Sequence, residues 1–304
     1  MDNEELTLFR DMAHRALEAE ISPYIEQWEA QHSVPRELWH TLGQAGLLCP
    51  DMPEEYGAAG TTPEVTFAVI EEMSRLSFGG IASGYSIHSN IVAPYIEHFG
   101  TEEQKSQWLP KMVTGEALGA LAMTEPSAGS DVQSIRTKAV KDGDEWILNG
   151  SKIFITNGML ADIVIVAAIT DPGKGAKGTS LFIVDATLPG FARGKKIEKM
   201  GQHTSDTAEL FFQDVRLPAS SLLGELNKGF VIMMTELPRE RLGIAAQAIA
   251  AAEGALDITV DYVLERKAFG QTIASFQNTR FTLAEVKTEI AINRAFYEKC
   301  ADAY

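Results

Sequence analysis

The chain has 304 residues, a formal net charge of −16 and a hydrophobic share of 45%. This length suits two or three linked domains better than one core. The negative charge argues against nucleic acid or an anionic membrane as partner, and the sequence suggests no apolar run long enough to span a bilayer.

The cysteine count and the N-terminus bear on the compartment. Cys49 and Cys300 provide neither a disulfide framework nor metal-ligand spacing, so we expect a reducing compartment and no metal site. The first five residues are acidic, unlike a secretory or transit peptide. We therefore expect a cytoplasmic protein, with a processed organellar form as the alternative.

Residues 1–117 have the apolar spacing of consecutive amphipathic helices, which predicts an α-helical N-terminal domain built as a bundle. Residues 51–60 are rich in helix breakers and read as a loop. The pattern predicts further helices over residues 65–76, 81–99 and 102–113, the last with Thr101 as its N-cap.

Residues 118–218 change to alternating apolar residues and short β-branched runs, which predicts a middle β domain, a sandwich or barrel. Residues 145–156 contain Asn149-Gly150, a strong turn signal, and read as two strands of a hairpin. Further strands are predicted over residues 163–169, 180–184 and 208–212.

Residues 219–304 read as a C-terminal helical bundle that is incomplete, because two long helices cannot enclose a four-helix core. Apolar residues recur every seventh position in the first helix, as expected for close antiparallel packing: Leu242, Ile249, Leu256 and Val263. Gly270 is the expected C-cap of that helix. The predicted fold class is thus α+β and multidomain.

Residues 127–131 form a short polar connection after a predicted strand. Successive backbone N–H groups in such a turn can bind an anion, and Gly129 permits conformations that other residues avoid. An ordinary connection between strands explains the same residues equally well. The context of a P-loop or dinucleotide fingerprint is absent.

Glu240 also has two interpretations. Pro238 suits a first helical turn, so Glu240 is either an acid favoured by the helix dipole or a buried general base. The first is commoner for a glutamate in that position. Arg241 is more often an ion-pair residue than a ligand contact.

Three segments in this domain order resemble the acyl-CoA dehydrogenases. They are residues 123–131 (MTEPSAGSD), residues 149–158 (NGSKIFITNG) and residues 265–270 (ERKAFG). The resemblance extends over essentially the whole chain and implies a flavin enzyme that holds FAD.

The resemblance also implies which residues hold the cofactor. One side of the flavin and its pyrophosphate would be lined within residues 121–130, namely by Leu121, Met123, Thr124, Gly129 and Ser130, with Ser130 also near the CoA. The other side would be flanked by Phe154, Ile155 and Thr156. Arg266, Phe269 and Gln277 would reach FAD in a neighbouring subunit of a tetramer or at least a dimer.

The implied reaction converts an acyl-CoA to a trans-2-enoyl-CoA, with loss of the α-proton to a carboxylate and of the β-hydride to flavin N5. Glu240-Arg241-Leu242 matches the base position of the long-chain and isovaleryl types, and residues 236–242 resemble the long-chain type most. Glu240 is therefore the expected base, with Pro238, Arg239 and Arg241 near the substrate. Long-chain or branched acyl groups are favoured, and electron-transfer flavoprotein is the expected acceptor.

Two alternatives remain open from the sequence. One is an acyl-CoA oxidase or related flavin enzyme, and the other is a non-catalytic acyl-CoA-binding or assembly protein. Most family members continue with a C-terminal segment that is not seen here, which predicts weakened FAD retention and assembly. Acyl-chain length depends on pocket depth, which we expect to be set in part by Ile87, Ser89, Val92 and residues 231–234.

Overall fold

The computed structural model describes residues 3–304, so the first two residues of the acidic N-terminus lie outside the described part. The N-terminal third is helical, as predicted. Its helices are α1 (Asn3–Ile21), α2 (Ile25–Gln31), α3 (Glu37–Gln44), α4 (Pro63–Arg75), α5 (Gly79–Tyr85), α6 (Ala93–Phe99) and α7 (Glu102–Val113). Thr101 is the predicted N-cap of α7 and completes a capping box with Gln104.

The helix predicted over residues 81–99 is not uniform. A π-helical segment (Ser86–Val92) connects α5 to α6 and buries His88, Ser89 and Asn90. His88 bonds to the carbonyl oxygen of Met112 through Nε2 (3.0 Å) and accepts from the Gly119 N–H through Nδ1 (3.1 Å). Burial lowers the pKa of His88 to about 4, so the neutral ring makes both bonds.

The middle third is a β domain. Its strands are β1 (Gly119–Ala122), β2 (Lys138–Asp142), β3 (Glu145–Thr156), β4 (Ile163–Ile169), β5 (Thr179–Asp185), β6 (Phe191–Lys196), β7 (Thr207–Pro218) and β8 (Leu222–Leu223). The order β6-β7-β3-β2-β4-β5-β8 has β1 paired to β4. A single residue pair, Lys138 with Ile169, joins the two halves of this sheet between β2 and β4.

The predicted hairpin at Asn149-Gly150 is wrong, because β3 runs without a turn from Glu145 to Thr156. Asn149 instead lies at a bulge in the pairing of β3 with β7, where its amide side chain bonds to Asp214. Gly150 is required there because a Cβ atom would come within 2.3 Å of the Thr137 side chain. The hairpin turn lies earlier, between β2 and β3.

Strand β4 is buried on both faces and separates two cores. Ile163, Ile165 and Ala167 pack towards the helices, whereas the alternate residues pack into the interior of the β domain. The two halves of the sheet meet in that interior, where Trp146 contacts Phe182 with ring centroids 5.5 Å apart. The predicted architecture, a helical part, a β part and a second helical part, is confirmed.

The C-terminal third contains α8 (Gly229–Glu265), a short hairpin of β9 (Lys267–Ala268) and β10 (Gln271–Thr272), and α9 (Gln277–Asp302). Helix α8 begins well before the predicted start, so Pro238 is interior and Glu240 is not a first-turn acid. Gly270 is not a C-cap either, because the helix ends at Glu265. It forms the hairpin turn with Phe269, and both have positive φ (78° and 51°).

The heptad-spaced apolar residues of α8 face α9. Residues of both helices line the grooves between them. Within residues 3–304, α8 is also the helix that by length and composition alone is apolar enough to cross a membrane, which corrects the sequence-based expectation. Core helices that are mostly buried meet the same criterion, whereas 22% of the apolar window of α8 is buried. The helix packs against α4 and α9.

Candidate active site

The region of interest lies where α8 meets α5 and the π-helical segment. Gln247 on α8 donates to Ser83 Oγ and to the carbonyl oxygen of Gly79, both at 3.0 Å. Gly84 follows Ser83 in α5, and its carbonyl oxygen accepts a hydrogen bond of 2.8 Å from Nδ2 of Asn157, the residue after β3. Helix α8 and the end of β3 therefore bind adjacent residues of α5, which brings the two predicted halves of the site towards one another.

Glu240 lies on this face of α8, because seven residues separate it from Gln247 and the helix returns to within about 20° in two turns. Its carboxyl group is buried, with 8% of the residue exposed. Tyr95 on α6 donates a hydrogen bond to Glu240 Oε1 at 2.9 Å. Burial raises the pKa of Glu240, the Tyr95 bond opposes that rise, and nearby Glu236 adds to it.

A buried carboxylate with a raised pKa and one directed donor has the properties of a general base. A helix-dipole acid would need neither burial nor the interior position in α8. The structure therefore removes the first-turn interpretation of Glu240.

Arg239 is also buried, but its polar atoms already have protein partners. Its guanidinium donates to Asp51 at 2.6 Å, and its Nε donates to the backbone and side-chain oxygens of Asn90 at 3.1 and 3.0 Å. These bonds fix α8 against the loop before α4 and against the π-helical segment. Pro238 and Arg241, the other predicted substrate neighbours, are exposed.

An apolar groove of about 660 Å³ lies between α8 and α9 and includes Pro238 and Arg241 in its wall. Leu242, Ala245 and Ile249 contribute to it from α8. These three residues lie about 140–200° around the helix from Glu240. The groove is therefore on the opposite face of α8 from the buried carboxylate.

The loop after β1 is held by a buried ion pair that the sequence analysis did not identify. Lys152 Nζ on β3 lies 2.9 Å from Glu125 Oε1 and 2.9 Å from the carbonyl oxygen of Met123. Glu125 also accepts from the backbone N–H groups of Arg136 and Thr137. Burial lowers the pKa of Lys152 to about 8, although Glu125 acts to raise it.

The turn at residues 125–128 lies at the start of the expected anion site, residues 127–131. Glu125 and Ala128 exchange two backbone hydrogen bonds of 3.0 Å, so the Ala128 N–H is used inside the turn. Gly129 does not have the left-handed conformation suggested for it, and a Cβ atom there would meet open space. Gly129 and Ser130 are both exposed next to this turn.

The end of β3 provides the second predicted cofactor segment. Phe154 has a positive φ of 60° and its side chain is 61% exposed. Ile155 points into the interior of the β domain, so only its backbone is available to a ligand. The Ile153 N–H donates to the carbonyl oxygen of Thr124 (3.0 Å), which joins this segment to the loop after β1.

The residues predicted to hold the cofactor differ in their exposure. Leu121 is buried against the helical core, whereas Met123, Thr124 and Thr156 are half-buried. The exposed ring of Phe154 offers an apolar surface that a bound ring system would cover. Three predicted contacts to a neighbouring subunit, Arg266, Phe269 and Gln277, are exposed around the β9–β10 hairpin.

Several residues near Glu240 were not predicted from the sequence. Tyr95 and His98 lie on one face of α6, and Glu236 lies one turn before Glu240 on α8. The spacing of Glu236 and Glu240 in an apolar helix was a signal that could have identified this pair. Among the described residues, no group of acidic, histidine and cysteine side chains has the arrangement of a metal site.

Comparison with known proteins identifies the family. Family models for acyl-CoA dehydrogenase match in three parts: the N-terminal domain over residues 3–116, the middle domain over 120–215 and the C-terminal domain over 227–304. The mitochondrial long-chain specific acyl-CoA dehydrogenase of Rattus norvegicus is 49% identical over 298 residues, which cover 97% of this chain and 69% of the relative.

Solved structures agree with this assignment. An acyl-CoA dehydrogenase from Geobacillus kaustophilus superposes with a TM-score of 0.96 at 46% identity, covering 99% of this chain and 80% of the other. A glutaryl-CoA dehydrogenase from Mycobacterium smegmatis, solved with FADH2, gives 0.91 at 32% identity, covering 98% and 75%. The chain belongs to the acyl-CoA dehydrogenase family and is a flavin-dependent oxidoreductase acting on CH–CH bonds.

Proposed function

We propose that the chain catalyses α,β-dehydrogenation of an acyl-CoA thioester with Glu240 as the base that removes the α-proton. The observation that carries this proposal is the buried carboxyl of Glu240, whose pKa is raised by burial and whose Oε1 accepts from Tyr95 at 2.9 Å. Removal of water strengthens a carboxylate as a base towards a weakly acidic C–H bond.

FAD is the proposed cofactor, and the residues that would hold it are those of the loop after β1 and of the end of β3. Met123, Thr124, Gly129 and Ser130 would provide one side, and Phe154 and Thr156 the other. When bound there, FAD supplies the acceptor for the hydride that leaves the β-carbon. The Lys152–Glu125 ion pair keeps the loop in place for this contact.

The proposed substrates are long-chain or branched acyl-CoA thioesters. Two facts support this choice: the Glu240-Arg241-Leu242 sequence, and the identity of 49% to a protein named as long-chain specific. The proposed electron acceptor is an electron-transfer flavoprotein. We also propose a homo-oligomer, dimer or tetramer, in which Arg266, Phe269 and Gln277 approach the cofactor of a neighbouring subunit.

A single substitution tests the base. We expect Glu240→Gln to retain acyl-CoA binding but to slow flavin bleaching and enoyl-CoA formation by about 10²–10⁴-fold. The matched control is Asp257→Asn, the same loss of a carboxylate at an exposed residue of the same helix. The measurement is anaerobic mixing with acyl-CoAs of four to sixteen carbons and with isovaleryl-CoA. A wild-type rate in Glu240→Gln would exclude Glu240 as the base.

A further inference from the structure

Two carboxylates, not one, are buried on the face of α8 that meets α6. Glu236 lies one helical turn before Glu240, about 6 Å along the axis, and 4% of it is exposed. Neither residue faces bulk water, so the negative charges repel each other more strongly than they would at the surface. Both carboxylates are ionised together only where a positive charge lies nearby; otherwise one of them keeps its proton.

Helix α6 places a different partner opposite each carboxylate. Tyr95 donates to Glu240, whereas His98, one turn later on α6, lies with Nδ1 2.8 Å from Glu236 Oε1. The other ring nitrogen of His98 lies 3.1 Å from Glu97 Oε2. The phenol of Tyr95 cannot supply a positive charge, but an imidazole can take up a proton.

We propose that Glu236 and His98 are positioning residues that set the basicity of Glu240. The charge of Glu236 makes the Glu240 carboxylate more basic, and protonation of His98 cancels part of that effect. The proposal rests on the assignment of Glu240 as base. It extends that assignment from one residue to a coupled group.

Several other ionisable groups lie near the pair. They are Tyr95 and Glu97 on α6, Arg239 and Arg241 on α8, Asp51 before α4, and Tyr304 after α9. Arg239 is bonded to Asp51, so that pair carries no net charge. Arg241 is exposed and screened by water. His98 has 39% of its side chain exposed, but it contacts Glu236 directly, so its proton changes the charge beside Glu236. The bond to Glu236 raises the pKa of His98.

The test uses the flavin-loaded enzyme and the pH profile of flavin reduction after anaerobic mixing with saturating acyl-CoA. Glu236→Gln removes the repelling charge, so we expect the midpoint of the profile to fall by about one pH unit. His98→Gln leaves that charge uncompensated, so the midpoint should rise by a similar amount. The double variant should resemble Glu236→Gln, because His98 acts only through Glu236.

Opposite shifts separate this role from a structural one. Loss of a merely structural pair would lower the rate at every pH or reduce stability without moving the two midpoints in opposite directions. Shifts in the same direction, or no shift in either variant, would overturn the proposal. Asp257→Asn is again the control and should leave the midpoint unchanged.

A second measurement does not depend on turnover. The ring nitrogen signals of His98, assigned by their loss in His98→Gln, should titrate above the ordinary value of about 6.5 in the wild type and move towards it in Glu236→Gln. An unchanged titration would also overturn the proposal. If Glu240→Gln is inactive while the midpoints do not move, only this inference fails. If Glu240→Gln is active, the proposed function fails first.

Discussion

Replacement of Lys152 by Met tests how the proposed cofactor loop is held. The ammonium group lies 2.9 Å from Glu125, and the two side chains are 0% and 4% exposed. Met has a similar volume, so the change removes the charge without creating a large cavity. Glu125 then keeps its two backbone donors but loses its cation, and Met123 loses the donor to its carbonyl oxygen.

The expected cost follows from this geometry. Removing one partner of a buried ion pair costs about 3–5 kcal/mol, because the remaining charge stays buried. For a chain of this size, that corresponds to a fall in melting temperature of roughly 10 °C. The double variant Lys152→Met/Glu125→Gln should be more stable than the single variant, because no uncompensated charge is left.

The assay is thermal unfolding of the flavin-loaded protein at pH 7, with flavin release followed by fluorescence. We expect Lys152→Met to release flavin at a lower temperature, and the double variant to recover part of the difference. Lys141→Met, an exposed lysine on β2, is the control. A single variant that melts within 2 °C of wild type, taking about 2–4 °C per kcal/mol, would refute the argument.

Two further predictions concern the surroundings of Glu240. Tyr95→Phe removes the bond that lowers the pKa of Glu240, so the pKa should rise further and the midpoint of the pH–rate profile should move to higher pH. An unchanged midpoint in stopped-flow flavin reduction would contradict this. Gly243→Ala places a Cβ atom 2.4 Å from Asn90 Nδ2, so we expect a loss of about 1–3 kcal/mol in denaturant unfolding. Ala248→Gly, the reverse change at an exposed position of the same helix, measures the difference in helix propensity alone, with the opposite sign.

Much of the fold could be predicted from residue patterns because the signals are local. Strand β4 is predicted with its observed bounds, because a continuous apolar run of this length is typical of a strand buried on both faces. The hairpin at Asn149-Gly150 was wrong because the same dipeptide also suits a bulge, and only the partner strand decides between them. Gly150 meets Thr137, a contact that local sequence does not reveal.

The site was predictable only in part. Glu240 was identified because the chain resembles a known family. The residues that contact Glu240 come from distant segments of the chain. Pro238 suggested a helix start, but α8 begins at Gly229 and continues through the proline. Tyr95 lies 145 residues from Glu240 in the chain, and no local pattern links the two.

The π-helical segment between α5 and α6 changes the direction in which the side chains of α6 point. One additional residue in a helical turn rotates the downstream helix by about 100°. This offset lets a single continuous run point His88 at the start of β1 and, a few residues later, point Tyr95 and His98 at α8. The wide turn fixes the rotation between the two helical segments. One segment therefore contacts β1 and the other contacts α8, with no loop between them.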